Sequence, residues 1–214
     1  MSDPLTLTWR PLFIELLSKH TTPDAAHDLQ HICRVATNAR RLCTASRADW
    51  KIVMPAAWLH DCLIVPKSSP DRARASQLAA TLATQWLTEV DWPYDNHQQI
   101  AHCIEAHSFS AGIKPLTLEA QVMQDADRLD ALGAVGLART LMLGAEMKRA
   151  FYQPEDPFCK FRTADDSTYT LDHLYSKLLT LESTMQTPAG KEEAAQRTQF
   201  LEDFLTQMAS ELDS

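Results

Sequence analysis

Five glycines in 214 residues constrain the fold of this chain more than any other feature of its sequence. Average usage near 7% would place about 15, so the tight turns and bulges of an all-β fold are poorly supplied. A mainly helical chain follows. Hydrophobic residues make up 45% and charged residues 22%, the mix of an ordinary globule rather than a disordered tail. The length is ample for one domain with a full core and short for two, so an all-α single domain over residues 1–214 is expected.

Pro, Asp and Ser/Thr punctuation divides the chain into roughly eight helical segments. The first runs near Pro11 to Lys19. The second starts around Thr22-Pro23 and places Leu29, Ile32, Val35, Ala36, Ala39 and Leu42 at three- and four-residue spacing. The third, about Ala48 to Leu63, is apolar on most sides and belongs at the centre. Ser69 and Pro70 read as an N-cap and first-position proline for a fourth helix reaching Thr88. Further helices are expected over Tyr94–His107, Thr117–Leu132 (ended or bent by Gly133), Val135–Phe151 and Lys191–Leu212. The Pro- and Asp-rich stretch from Gln153 to Thr168 reads as a long surface loop or lid.

A net charge of −8 disfavours duplex nucleic acid as a partner. A phosphorylated substrate would then need a local basic cluster or a metal ion. No apolar stretch approaches the ~20 residues of a membrane span, and the start MSDPLTLTWRP carries no targeting pattern, so a cytoplasmic protein without membrane contact is expected. Five cysteines without a Cys-x-x-Cys pair suit reduced thiols rather than a disulfide framework.

Two His-Asp doublets occur, His27-Asp28 and His60-Asp61, and burial separates them. Asp61 follows a run that is apolar nearly all round, where an ionised carboxylate is costly unless paired or coordinated. Asp28 sits near a helix start and can serve the helix dipole there. On a helix the side chains of His60 and Asp61 diverge by about 100°, and both can reach one metal beside the helix end. His31, on the border of its amphipathic helix, can add an imidazole, and Asp127 a second carboxylate. Two imidazoles and two carboxylates suit Mn²⁺, Fe²⁺, Ni²⁺, Zn²⁺ or Mg²⁺, with positions left for water and substrate.

His31, His60-Asp61 and Asp127, in that order, resemble the HD-domain metal-dependent phosphohydrolases. The stretches Ala56-Ala57-Trp58-Leu59-His60-Asp61 and Asp125-Ala126-Asp127-Arg128-Leu129-Asp130-Ala131-Leu132-Gly133-Ala134 are similar to the two strongest signatures of that family. The whole chain resembles its small single-domain bacterial YedJ-like branch. The resemblance implies a metal-binding core over about residues 22–143 and a C-terminal helical extension over about 151–214. It also implies one divalent ion held by His31, His60, Asp61 and Asp127, and hydrolysis of a phosphate ester or anhydride by metal-activated water.

Related HD nucleotidases carry a glutamate three residues past the doublet, where this chain has Ile64. Either the activated water acts without that group, or Asp130 or His107 manages the proton beside Asp61. Lys67, Arg74 and Arg128 are the preferred phosphate contacts, with Arg72 a surface charge. His102 and His107, about 140° apart round a helix, should not both face one ion, and His107 is the preferred one. The substrate class that the resemblance implies is a small nucleotide. Two rivals remain: a di-iron oxygenase completed by His102 and His107, and a silent helical module that senses a nucleotide.

Overall fold

Asp3 opens the first helix, its carboxylate accepting from the Thr6 amide at 3.0 Å and the Thr6 hydroxyl at 2.7 Å. The structure is a computed structural model that describes residues 3–20, 29–65, 69–109 and 111–212. Its described residues hold nine α-helices and no strand, with one isolated bridge between Ala150 and Tyr169. No helix among them is long and apolar enough to cross a membrane. The backbone divides into two compact units, Met1–Asp127 and Arg128–Ser214.

The first unit contains α1 (Pro4–His20), α2 (Leu29–Ser46), α3 (Trp50–Leu59), α4 (Ala75–Glu89), α5 (His97–His107) and most of α6 (Leu118–Asp130). The apolar run that the sequence places centrally is α3. Val53, Met54, Ala56, Ala57, Trp58 and Leu59 are all fully buried, and α1, α2, α4 and α5 pack against the helix. Pro55 lies inside α3 and cannot donate to the carbonyl of Lys51. The Asn96 amide at the start of α5 donates to that carbonyl at 3.1 Å, so the proline's missing bond becomes a tie between two helices. Ser69 caps a 3-10 turn, Pro70–Arg74, that leads into α4. Thr117 caps α6 by accepting from the Ala120 amide.

The second unit contains α7 (Gly133–Glu146), α8 (Asp172–Ser176) and α9 (Pro188–Glu211), with two 3-10 turns between the last two. Gly133, at φ +69°, separates α6 from α7. Within this unit, residues 153–168 fold around two aspartates. Asp156 accepts from the amides of Lys160 and Phe161 at 2.9 and 2.8 Å. Asp172, fully buried, takes both terminal nitrogens of Arg162 and the Asp165 amide.

All five cysteines are free thiols. Burial pushes the Cys43 thiol to about 11 and the Cys62 thiol to about 12, which keeps both protonated.

Candidate metal centre

Three helices and one helix end of the first unit deliver the expected residues to one place. His60 follows the last residue of α3, where terminal carbonyls lack a partner within the helix. Its Nδ1 meets the carbonyl of Ala57 at 3.0 Å. That bond makes Nδ1 the protonated nitrogen and turns a bare Nε2 toward its neighbours. His31, buried on α2, brings its own Nε2 to 3.3 Å from it.

The carboxylates close the group. Asp61 Oδ2 stands 3.5 Å from His31 Nε2 and 3.4 Å from His60 Nε2. Asp127 Oδ1, from α6, stands 3.4 and 3.8 Å from the same two atoms. Ligands bound at 2.0–2.2 Å in tetrahedral or octahedral geometry lie about 2.8–3.6 Å from their neighbours. Four of the five separations fall in that range, and the fifth, His60 to Asp127 at 3.8 Å, lies just beyond it. The two histidines are closed off, whereas the Asp61 and Asp127 side chains are 19% and 26% exposed, so the carboxylates form the edge open to water.

His107, the last residue of α5, repeats the device of His60. Its Nδ1 meets the Ile104 carbonyl at 2.6 Å, and its Nε2 lies 3.8 Å from Asp61 Oδ1. The two rings stack edge to face at 4.9 Å. Two overlapping groups result, His31 with His60 and Asp127, and His60 with Asp61 and His107, the ligating atoms of each within 4.8 Å of one another. His102 is not brought in: its Nε2 accepts from the Leu116 amide at 2.9 Å.

The electrostatics follow from crowding. Burial opposes the charge on Asp61, yet His60, hydrogen bonds from the two imidazoles and the nearby His107 hold its carboxyl well below the ordinary range. Asp127 is lowered likewise, against its burial, by the His31 hydrogen bond and the surrounding imidazoles. Burial disfavours a charged His60, but the two ionised carboxylates outweigh it and raise its pKa. Burial and the neighbouring His60 charge lower that of His107.

The other sequence candidates have contacts of their own. Arg74, two-thirds exposed on the 3-10 turn, lies 4.0 Å from Asp71. Arg72 donates to the Val65 carbonyl at 2.8 Å rather than standing free on the surface. In the second unit Arg128 donates to the Thr184 carbonyl at 2.7 Å, and the buried Asp130 is ion-paired with Arg139. Lys67 and the His27-Asp28 doublet lie outside the described residues.

Sequence reasoning missed two buried carboxamides. Asn38 of α2 donates to the Ala126 carbonyl at 3.2 Å, and Gln124 of α6 donates to the Ala106 carbonyl at 2.6 Å. Each contacts the residue next to a member of the group. Spacing marks only the helix face, since Gln124 lies three residues before Asp127, and not the carbonyl that the amide serves.

Comparison with known proteins gives the same reading. The HD domain family model matches residues 28–132. The uncharacterised Bacillus subtilis protein YpgQ is 32% identical over 196 residues, covering 90% of this chain and 87% of its own length. A crystal structure of an HD-superfamily hydrolase from Bacillus thuringiensis aligns with a TM-score of 0.71 at 30% identity, covering 95% of this chain and 94% of that one. A structure of YpgQ in complex with ADP aligns with the same TM-score at 29% identity, covering 93% and 97%. With its His, His-Asp and Asp residues gathered in one place and nine-tenths or more of its length matched by such relatives, the chain belongs to the HD-domain family.

Proposed function

We propose that the protein is a phosphohydrolase that uses one divalent cation, held by His31, His60, Asp61 and Asp127, to cleave a phosphate ester or anhydride of a small nucleotide. The observation that carries this reading is the convergence of acceptors. The bare Nε2 of His60 faces His31 Nε2, Asp61 Oδ2 and Asp127 Oδ1 within 3.8 Å, an arrangement of lone pairs that a cation satisfies. A single ion fits best, because His60 has only one nitrogen to offer: its other is bound to Ala57. For the same reason the two overlapping groups share His60 and cannot each take an ion through it. His102 belongs to neither group among the described residues, its Nε2 accepting from the Leu116 amide, which speaks against the di-iron reading.

A bound divalent ion supplies Lewis acidity toward a phosphoryl oxygen and lowers the pKa of a water ligand toward ~7. The chain's own residues do the rest. Asp61 and Asp127, on the open edge, stay ionised and bring negative charge to the cation. His107, kept neutral by burial, presents Nε2 beside Asp61 Oδ1 and takes up a proton there, the part that Ile64 cannot play. Asp130 is assigned to holding Arg139. Arg74, largely exposed on the turn after the doublet, and Lys67, near Asp61 in sequence, are assigned to phosphate oxygens. The ADP held by YpgQ supports a nucleotide as the ligand class.

The test is a panel of nucleoside mono-, di- and triphosphates assayed for phosphate and pyrophosphate release with Mn²⁺, Mg²⁺, Ni²⁺, Fe²⁺ and Zn²⁺ in turn. Release is expected with at least one pair, and Asp61→Ala should lower it by about a hundredfold or more while the helical circular dichroism persists. Release that survives Asp61→Ala, or nucleotide binding without any release, would overturn the proposal.

A further inference from the structure

We infer that Gln124 is a positioning residue: its buried carboxamide ties the last turn of α5 to α6 and so fixes the imidazole of His107 against Asp61. This rests on the reading above, in which His107 handles the proton. Helix α5 stops at His107, because Ser108 turns to an extended conformation. The carbonyl of Ala106 is therefore among the last four of the helix, which have no amide donor within it. Ala106 is fully buried and Gln124 is 3% exposed, so solvent does not supply the missing donor. Gln124 Nε2 does, at 2.6 Å.

The consequence falls on the next residue. His107 hangs from the same terminal turn, with Nδ1 on the Ile104 carbonyl and Nε2 at 3.8 Å from Asp61. Gln124 stands one helical turn before Asp127, which lies 3.4 Å from His31. One side chain thus sets the spacing between the helix end that carries His107 and the helix that carries Asp127.

A second observation separates this role from simple packing. Gln124 Oε1 is buried with no hydrogen-bond partner. Methionine or leucine would fill similar space and leave no bare acceptor in the interior. What the amide adds over either is its donor to Ala106.

Gln124→Met keeps the length of the side chain and removes that donor. With the nucleotide turned over fastest in the panel and Mn²⁺, kcat should fall by about ten- to a hundredfold, while KM and Mn²⁺ affinity stay within about twofold. In a His107→Ala background the same substitution should add no further loss, because the two residues act as one unit. Independently of turnover, long-range ¹H–¹⁵N spectra of the imidazoles should show His107 as one tautomer in the parent protein and as exchange-broadened in Gln124→Met.

Additive losses in the double variant, or an unchanged His107 ring spectrum, would overturn the inference. If the parent protein releases phosphate from no member of the panel, the phosphohydrolase reading fails. The ring spectrum still decides whether Gln124 positions His107.

Discussion

His60 shows how one covalent neighbourhood decides what a side chain can do. Its ring lies at the end of a helix whose Ala57 carbonyl claims Nδ1, so the only nitrogen left for chemistry points at two carboxylates and another imidazole. Those carboxylates raise its pKa above the ordinary value despite burial, so in the metal-free protein a proton competes for that nitrogen. A cation must displace that proton, and binding therefore releases it. The sign follows: below the raised pKa, cation affinity climbs with pH by about tenfold per unit for each proton released, and it levels off once His60 is neutral in the free protein. Asp61 and Asp127, both lowered, are ionised throughout this window and add no slope. Titration with Mn²⁺ at pH 6, 7 and 8 checks this. Affinity that does not change from pH 6 to pH 8 would contradict it.

Among the elements, the sequence made buried faces legible and ends less so. The apolar run before His60 became α3 at the centre of its unit, and Ser69 and Thr117 cap as expected. Helix α1, by contrast, begins at Pro4 rather than Pro11. A proline inside a helix lacks one donor, but Leu7, whose carbonyl loses it, is 61% exposed and can turn to water. Pro55 escaped notice for the opposite reason, since its orphan carbonyl is served by Asn96 from 45 residues away. No local pattern announces such a partner. In α7, Gly144 is pressed against its neighbour: a Cβ there would lie 2.2 Å from Thr170 Oγ1 and 2.4 Å from its Cγ2. Gly144→Ala should thus destabilise the protein by roughly 1–3 kcal/mol, although alanine in a helix ordinarily gains over glycine. Chemical denaturation measures this, and adding Thr170→Ala should restore most of the loss. An unchanged or raised midpoint in Gly144→Ala would refute the packing argument.

At the scale of the whole molecule, the HD pattern spans 96 residues between His31 and Asp127, and helices bring His31, Asp61 and Asp127 within 3.8 Å of His60 Nε2. The four candidate ligands were readable because His60, Asp61 and Asp127 sit in two distinctive local phrases and His31 on the border of an amphipathic helix. Asn38 and Gln124 were not, because a buried amide looks like any other polar residue until the carbonyl it serves is known. Arg128 and Asp130 stand in the same phrase as Asp127, yet in the second unit they meet Thr184 and Arg139, contacts made 56 and 9 residues away. Adjacency in sequence therefore does not assign a common task. The most direct measurement is anomalous diffraction from crystals soaked in Mn²⁺. The account predicts one strong peak per chain within about 2.5 Å of His31 Nε2, His60 Nε2, Asp61 and Asp127. Two peaks, a peak bound through His107 in place of His31, or none at saturating Mn²⁺ would contradict it.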